Sequence, residues 1–404
     1  MAKVDSTSAV NFIGIPSSVL IIGAGPAGLA TAACLASKSI PFVILEREDC
    51  TASLWKKMTY DRLHLHLPKK YCELPLLQFP ESYPKYPSRD QFIAYLDNYA
   101  KHFRISPMCN TTVVSAEFAA PLGLWVVTAE HGVGKVSCKF TAKTLVVATG
   151  ENGEAVVPSF LGREDFAGKV IHGKEYRNGK KYRDEKVLVV GTGNTGMEIA
   201  LDLANFGAQP TIVARSPIML RQFHVMPREL FGVNISTFDV SMKLLKVFPL
   251  WFVDKCIVYS SWLTLGDTAK YDLIRPEEGP LAMKARTGQT PVLDVGTVAK
   301  IRNGDIKVMP GIDRLTENGA KFVNGMEQAF DVIIMATGYA STVSKWLKAG
   351  DGNMFGGDGF PKNPFPNGWK GENGIYAVGF GRKGLLGCAH DARRVAEDIA
   401  KDFT

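Results

Sequence analysis

Two stretches of this chain have the same form, an apolar strand running into a glycine turn and then a helix, and they constrain the fold more than anything else in it. The first is Val19-Leu20-Ile21-Ile22-Gly23-Ala24-Gly25-Pro26-Ala27-Gly28, and the second is Lys186-Val187-Leu188-Val189-Val190-Gly191-Thr192-Gly193-Asn194-Thr195-Gly196. Both carry G-x-G-x-x-G in the context that makes it informative. The first glycine allows the tight turn, the second lets backbone approach a pyrophosphate, and the third lets helix and strand pack closely. The anion then rests on the helix N-terminus, where unpaired N–H groups and the dipole favour it. Gly23, Gly25 and Gly28 are therefore candidate dinucleotide ligands, and so are Gly191, Gly193 and Gly196.

The strands that follow distinguish the two copies. Phe42-Val43-Ile44-Leu45 ends in Glu46, 23 positions after Gly23, close to where a carboxylate meets an adenosine ribose. In the second copy the residue 23 positions after Gly191 is Ala214, followed by Arg215 and Ser216. A guanidinium and a hydroxyl with no carboxylate suit a 2′-phosphate. FAD on the first copy and NADPH on the second is the economical reading. The apolar strands Leu145–Val147 and Val332–Met335 both run into Ala-Thr-Gly. These look like crossings, which makes the second domain an insertion. The expected fold is α/β, with two Rossmann-like dinucleotide-binding domains. The FAD domain is discontinuous, over 1–165 and 330–404, and the NADPH domain covers 166–329.

Between these landmarks, Ser88 with Gln91 three positions on predicts a capped helix carrying Phe92, Tyr95, Leu96 and Tyr99 as its core stripe. Short alternating segments from Thr112 to Phe140 predict a small antiparallel sheet with turns at Gly123 and Gly132. Leu63, Leu65 and Leu67 alternate with Arg62, His64 and His66, which puts the polar residues on one face of an extended segment. No carboxylate or thiol is spaced to complete a metal site with the two histidines, and none is expected. The chain ends in a strand over Gly374–Phe380 and a helix from Ala389 to Phe403.

Composition excludes several classes. The 404 residues carry a net charge of +7, but the basic residues are scattered, and the densest cluster, Lys180 to Lys186, includes Asp184 and Glu185. A nucleic-acid partner is not expected. Met242 to Leu265 is rich in Leu, Phe, Trp and Val yet broken by Lys243, Lys246, Pro249, Asp254 and Lys255, so it is no membrane span. Phe248, Trp251, Phe252, Tyr259 and Trp262 read more readily as a core stripe than as a substrate wall. The seven cysteines are scattered, without a C-x-x-C pair, as expected of reduced thiols. A cytoplasmic location is expected, with peripheral docking on the endoplasmic reticulum left open.

Phe166-Ala167-Gly168-Lys169-Val170-Ile171-His172-Gly173-Lys174-Glu175-Tyr176 matches the F-x-G-x-x-x-H-x-x-x-Y signature, and the chain resembles the flavin-containing monooxygenases. Thr59 to Leu63, Leu65 to Lys69, Cys72 to Pro75, Thr290 to Gly296 and Phe365 to Gly371 resemble the plant YUCCA branch, the indole-3-pyruvate monooxygenases of auxin synthesis. The resemblance implies that NADPH reduces FAD, molecular oxygen adds at the flavin C4a as a peroxyflavin, and the 2-oxo acid indole-3-pyruvate loses carbon dioxide to give indole-3-acetate. It also implies that Trp55 lies near FAD, that Asn194 joins the glycines of the second turn in holding NADPH, that His172 and Tyr176 brace the join between domains, and that His66 stands where many relatives place an active-site Asn. His66 is thus the candidate catalytic donor. His64 departs from the branch pattern, which has Lys there, and Met58 stands in place of Arg. N- or S-oxygenation, oxime formation and electron transfer to a protein partner remain alternatives.

Overall fold

The computed structural model describes residues 11–214, 223–348, 354–363 and 366–403, with side chains from Ser18 onward. Arg215 and Ser216 lie outside the described residues. The first sheet is built round the strand Asn11–Ile22, which runs parallel to Phe42–Leu45 on one side and to Val136–Val147 on the other. Val19, Leu20 and Ile21 are completely buried, as a parallel strand covered on both faces requires. Helices Pro26–Ala36 and Gly384–Ala400 share one core, with Leu29, Ala33, Val395 and Ile399 in a single cluster. Arg89–His102 joins them. Its reciprocal Ser88–Gln91 cap forms as expected, and Phe92, Tyr95 and Tyr99 face inward.

The antiparallel segment and the apolar strand after it, expected as separate pieces, form one strand. The first half of Val136–Val147 closes a meander with Leu124–His131 and Thr111–Ala119. Its second half runs parallel to Ile375–Ala377. Alternating burial over the first half gives way to an unbroken buried run from Thr144 to Val147, so two kinds of pairing share one backbone.

The second sheet is wholly parallel, in the order Lys307–Met309, Gln209–Val213, Lys186–Val190, Val332–Met335, Lys169–His172. Val332–Met335 therefore belongs inside the second domain, and a boundary at 329/330 falls too early. On the other side, the Leu315 N–H donates to the Leu161 carbonyl, and Phe166 packs in the second domain's core. Both joins move outward. The crossings are the antiparallel ribbon of Glu154–Ala155 with Tyr339–Ala340. The physical reason is that each Ala-Thr-Gly ending closes its own sheet before the chain crosses: Ile333 and Ile334 are completely buried between two parallel neighbours.

The helix Leu250–Leu265 overturns the expectation of an aromatic core stripe. It buries Val253, Asp254, Ile257, Ser261 and Leu265, while Trp251 is 61% and Tyr259 63% exposed. Asp254 explains the orientation. Its two carboxylate oxygens accept the N–H groups of Leu281 at 2.8 Å and Ala282 at 3.1 Å, capping the helix Pro280–Thr287, so this polar residue has to face inward.

Candidate active site

At the first turn, Gly23 has φ +103°, and a Cβ there would meet the Ala148 carbonyl oxygen at 2.7 Å. A Cβ on Gly28 would come within 1.9 Å of the Gly23 carbonyl oxygen, so the third glycine makes the close helix–strand approach. Around a Cβ on Gly25, by contrast, nothing lies within 4 Å. That glycine caps the helix Pro26–Ala36 without any side-chain hydrogen bond. The first-turn N–H groups therefore face open space, as an anion cradle requires.

This turn opens into a cavity of about 720 Å³, large enough for a dinucleotide cofactor. Glu46 lines it, buried, with Oε2 accepting the Ala24 N–H at 2.7 Å and Oε1 the Glu48 N–H at 3.0 Å. Its carboxylate is thus held beside the turn. Trp55 lines the same cavity, edge-on to Phe92 at 4.5 Å between centroids. Gly379, Leu385, Cys388 and Glu151 line it too, and a Cβ on Gly379 would lie 3.2 Å from the Ala27 Cβ, so this group stands beside the first turn. Burial pushes the Cys388 thiol up to about 12 and raises the Glu151 carboxyl.

The second turn repeats the first atom for atom. Gly191 has φ +121°, and a Cβ there would meet the Ala336 carbonyl oxygen at 2.4 Å. A Cβ on Gly196 would fall 2.0 Å from the Gly191 carbonyl oxygen, while Gly193 has open space and caps Asn194–Asn205. The Asn194 Oδ1 accepts the Leu293 N–H at 2.9 Å, which ties the helix start to the strand Val292–Asp294. Ala214 is buried and offers no acceptor where Glu46 offers one.

His66 stands at the boundary between the two domains. The alternation around it is real, with Leu63 and Leu65 buried and His64 exposed. Its Nε2, however, lies 2.5 Å from Glu198 Oε1 on the second nucleotide helix, and it does not line the cavity. A buried carboxylate needs a partner, and Glu198 draws the ring across the domain boundary. His172 does touch a crossing: its Nε2 lies 3.2 Å from the Gly338 carbonyl and its ring stands edge-on to Tyr339. Tyr176 braces the join as well: its ring stands edge-on to Tyr60 of the first domain at 6.5 Å between centroids, and its hydroxyl donates to Asp202 at 2.7 Å. Glu198 and Asp202 went unnoticed in the sequence. The signal was present in two acids four positions apart on a helix otherwise lined by Met197, Ile199, Ala200, Leu201 and Leu203.

Residues 17–346 match the model of the flavin-binding monooxygenase-like family. The chain is 52% identical over 394 residues to indole-3-pyruvate monooxygenase YUCCA6 of Arabidopsis thaliana, covering 96% of this chain and 91% of that protein. It is 50% identical over 402 residues to the probable indole-3-pyruvate monooxygenase YUCCA1 of the same plant, covering 99% and 93%. Among solved structures it resembles a flavin monooxygenase of Stenotrophomonas maltophilia, with a TM-score of 0.70 at 20% identity over 97% of this chain and 99% of that one. Two glycine turns on two parallel sheets, an open cavity at the first and a match spanning most of the sequence lead to one assignment: the chain belongs to the flavin-binding monooxygenase-like family.

Proposed function

We propose that this protein is an FAD- and NADPH-dependent monooxygenase that converts indole-3-pyruvate to indole-3-acetate, a step of auxin biosynthesis. The observation that carries the reading is the contrast between two otherwise identical turns, one with the buried acceptor Glu46 and one with apolar Ala214 at the matching place. FAD is held with its pyrophosphate over Gly23, Gly25 and Gly28, its ribose on Glu46, and its ring toward Trp55. NADPH is held on Gly191, Gly193, Asn194 and Gly196, with Arg215 and Ser216 supplying the 2′-phosphate contacts.

Bound FAD, reduced by NADPH, supplies the activation of molecular oxygen. The protein's own residues orient and exclude water. The helix N-termini at Gly25 and Gly193 fix the two pyrophosphates, and the apolar side chains of Leu54, Trp55 and Leu385 that line the cavity keep water from the reacting atoms. One oxygen atom enters the new carboxylate, the other leaves as water, and the original carboxylate departs as carbon dioxide. Purified holoenzyme given indole-3-pyruvate, NADPH and air should therefore yield indole-3-acetate in step with NADPH consumed. NADPH oxidation without that acid would favour N- or S-oxygenation or oxime formation. Turnover that needs a protein acceptor instead of oxygen would favour a reductase.

A cytoplasmic protein docked on the surface of the endoplasmic reticulum fits the exposed stripe Trp251, Lys255, Tyr259, Trp262 and Leu263, which continues into Val247, Phe248 and Leu250. Tryptophan and tyrosine with interspersed lysine suit the headgroup layer. No helix among the described residues is long and apolar enough to cross a membrane. Flotation with anionic phospholipid vesicles should carry the protein upward, and Trp251→Glu with Trp262→Glu should abolish this while leaving catalysis intact. Equal flotation of wild type and variant would sink the docking reading.

A further inference from the structure

The acids Glu198 and Asp202 stand on the second nucleotide helix, and each meets the flavin domain or supports the contact. Their side chains are 5% and 6% exposed, one helical turn apart on Asn194–Asn205. Three flavin-domain side chains converge on this face. His66 Nε2 lies 2.5 Å from Glu198 Oε1, and the buried Tyr60 phenol stands close enough to the same carboxylate to feel its charge. Arg62 Nη1 donates to the Glu198 carbonyl at 3.4 Å, and its Nε stands 4.0 Å from Asp202 Oδ1. On its far side Asp202 accepts the Tyr176 hydroxyl at 2.7 Å and the Gly179 N–H at 2.9 Å. Backbone contacts fasten the same segment: Asp61 N–H donates to the Arg177 carbonyl at 2.8 Å, and the Arg177 guanidinium donates to the Lys57 carbonyl.

A buried carboxylate is a poor source of stability, because its desolvation offsets most of the attraction. What such a pair does well is select one geometry, since any other orientation leaves the charge unpaired. Domain interfaces within a chain are mobile by default. Here the selected orientation belongs to the helix whose N-terminus presents Gly193 and Asn194. Turning this helix would carry any dinucleotide on it toward or away from the flavin cavity, and displacements of about 1 Å at a reacting centre can cost roughly a hundredfold in rate.

We propose that Glu198, gripped by His66, Tyr60 and Arg62, is an interdomain latch that sets the nicotinamide against the flavin, making Glu198 a positioning residue for hydride transfer. The proposal rests on the FAD and NADPH reading above. His66 acts in it through Glu198, without reaching the flavin itself.

The test uses FAD-loaded enzyme, with Glu198→Ala, His66→Ala and the double variant. Anaerobic stopped-flow mixing with NADPH gives the limiting rate of flavin reduction and its half-saturating concentration separately, and amide exchange of residues 57–66 is read without NADPH. The latch predicts a limiting rate at least about tenfold lower in each single variant, half-saturation within about twofold of wild type, and faster exchange of 57–66. The double variant should be no slower than the worse single one, because the pair acts as a unit. His66→Ala, on the half-exposed side, keeps the test open if Glu198→Ala fails to fold. Unchanged reduction rates, or a change confined to half-saturation, would overturn the latch. If wild-type flavin is not reduced by NADPH at all, the cofactor reading fails, and the exchange rates still decide whether the latch exists.

Discussion

The two nucleotide turns are nearly superposable in their chemistry and differ in what surrounds them. Each has a first glycine against an alanine carbonyl, a third glycine against the first, and a helix start without a side-chain cap. The first is backed by a buried carboxylate and opens into a cavity; the second is backed by a buried methyl and tied by Asn194 to a neighbouring strand. The turn itself does not distinguish the two copies; the side chain 23 positions further on does.

The strongest way to break the comparison is to close each turn in its own domain. Gly28→Ala places a methyl 1.9 Å from a backbone oxygen, and Gly196→Ala does the same at 2.0 Å. The first should give enzyme purified with at least about tenfold less flavin, since backbone and helix must separate. The second should keep its flavin and raise the half-saturating NADPH concentration by at least about tenfold, read by anaerobic titration. Equal loss of flavin in both would mean that the two turns are not separate sites.

Exchanging the discriminating residues comes next. Glu46→Ala leaves the Ala24 N–H without its acceptor and should weaken FAD binding by about 1–3 kcal/mol, measured by equilibrium release of flavin. Ala214→Glu puts a carboxylate where the 2′-phosphate is proposed to sit. It should shift kcat/KM toward NADH over NADPH by roughly tenfold or more.

A smaller difference lies in the carboxylate with which each domain holds a tyrosine. Asp202 accepts from Tyr176 at 2.7 Å, and Asp398 accepts from Tyr376 at 2.8 Å. Burial pushes the Asp398 carboxyl up, but the hydrogen bonds from Lys370, Tyr376 and Lys401 outweigh it and hold the group down at about 2. A carboxyl depressed in the fold stabilises it above the unfolded value near 4, and that contribution is lost as pH falls toward 2. With two of its partners, Lys370 and Lys401, exposed to solvent, Asp398→Asn should therefore cost roughly 1–2 kcal/mol at neutral pH, and the gap to wild type should close in acid unfolding near pH 2. The smallest expected effect is that of Asn194→Ala, about 1 kcal/mol of stability from the orphaned Leu293 N–H, read by denaturant midpoint with flavin retained.

The readability of these features in the sequence follows their range. Gly23 to Glu46 and Gly191 to Ala214 are local patterns with one physical solution, so both turns, their order and the capped helix at Ser88 could be read directly. His66 could not, because its position depends on Glu198, 132 residues away. The aromatic stripe was misplaced for a similar reason. Hydrophobicity alone sends Trp251 and Tyr259 inward, but Asp254 is required to cap Pro280–Thr287, and only one face of a helix can be buried.

By itself, then, the sequence determined the α/β class, two dinucleotide turns, the acid on one and its absence from the other, since these rest on spacing and on the conformations glycine alone allows. Tertiary structure decided where the domains join, which face of Leu250–Leu265 is buried, and which residues span the domain boundary. Those are settled by competition among distant groups for burial and for hydrogen-bond partners, and no local pattern records the outcome.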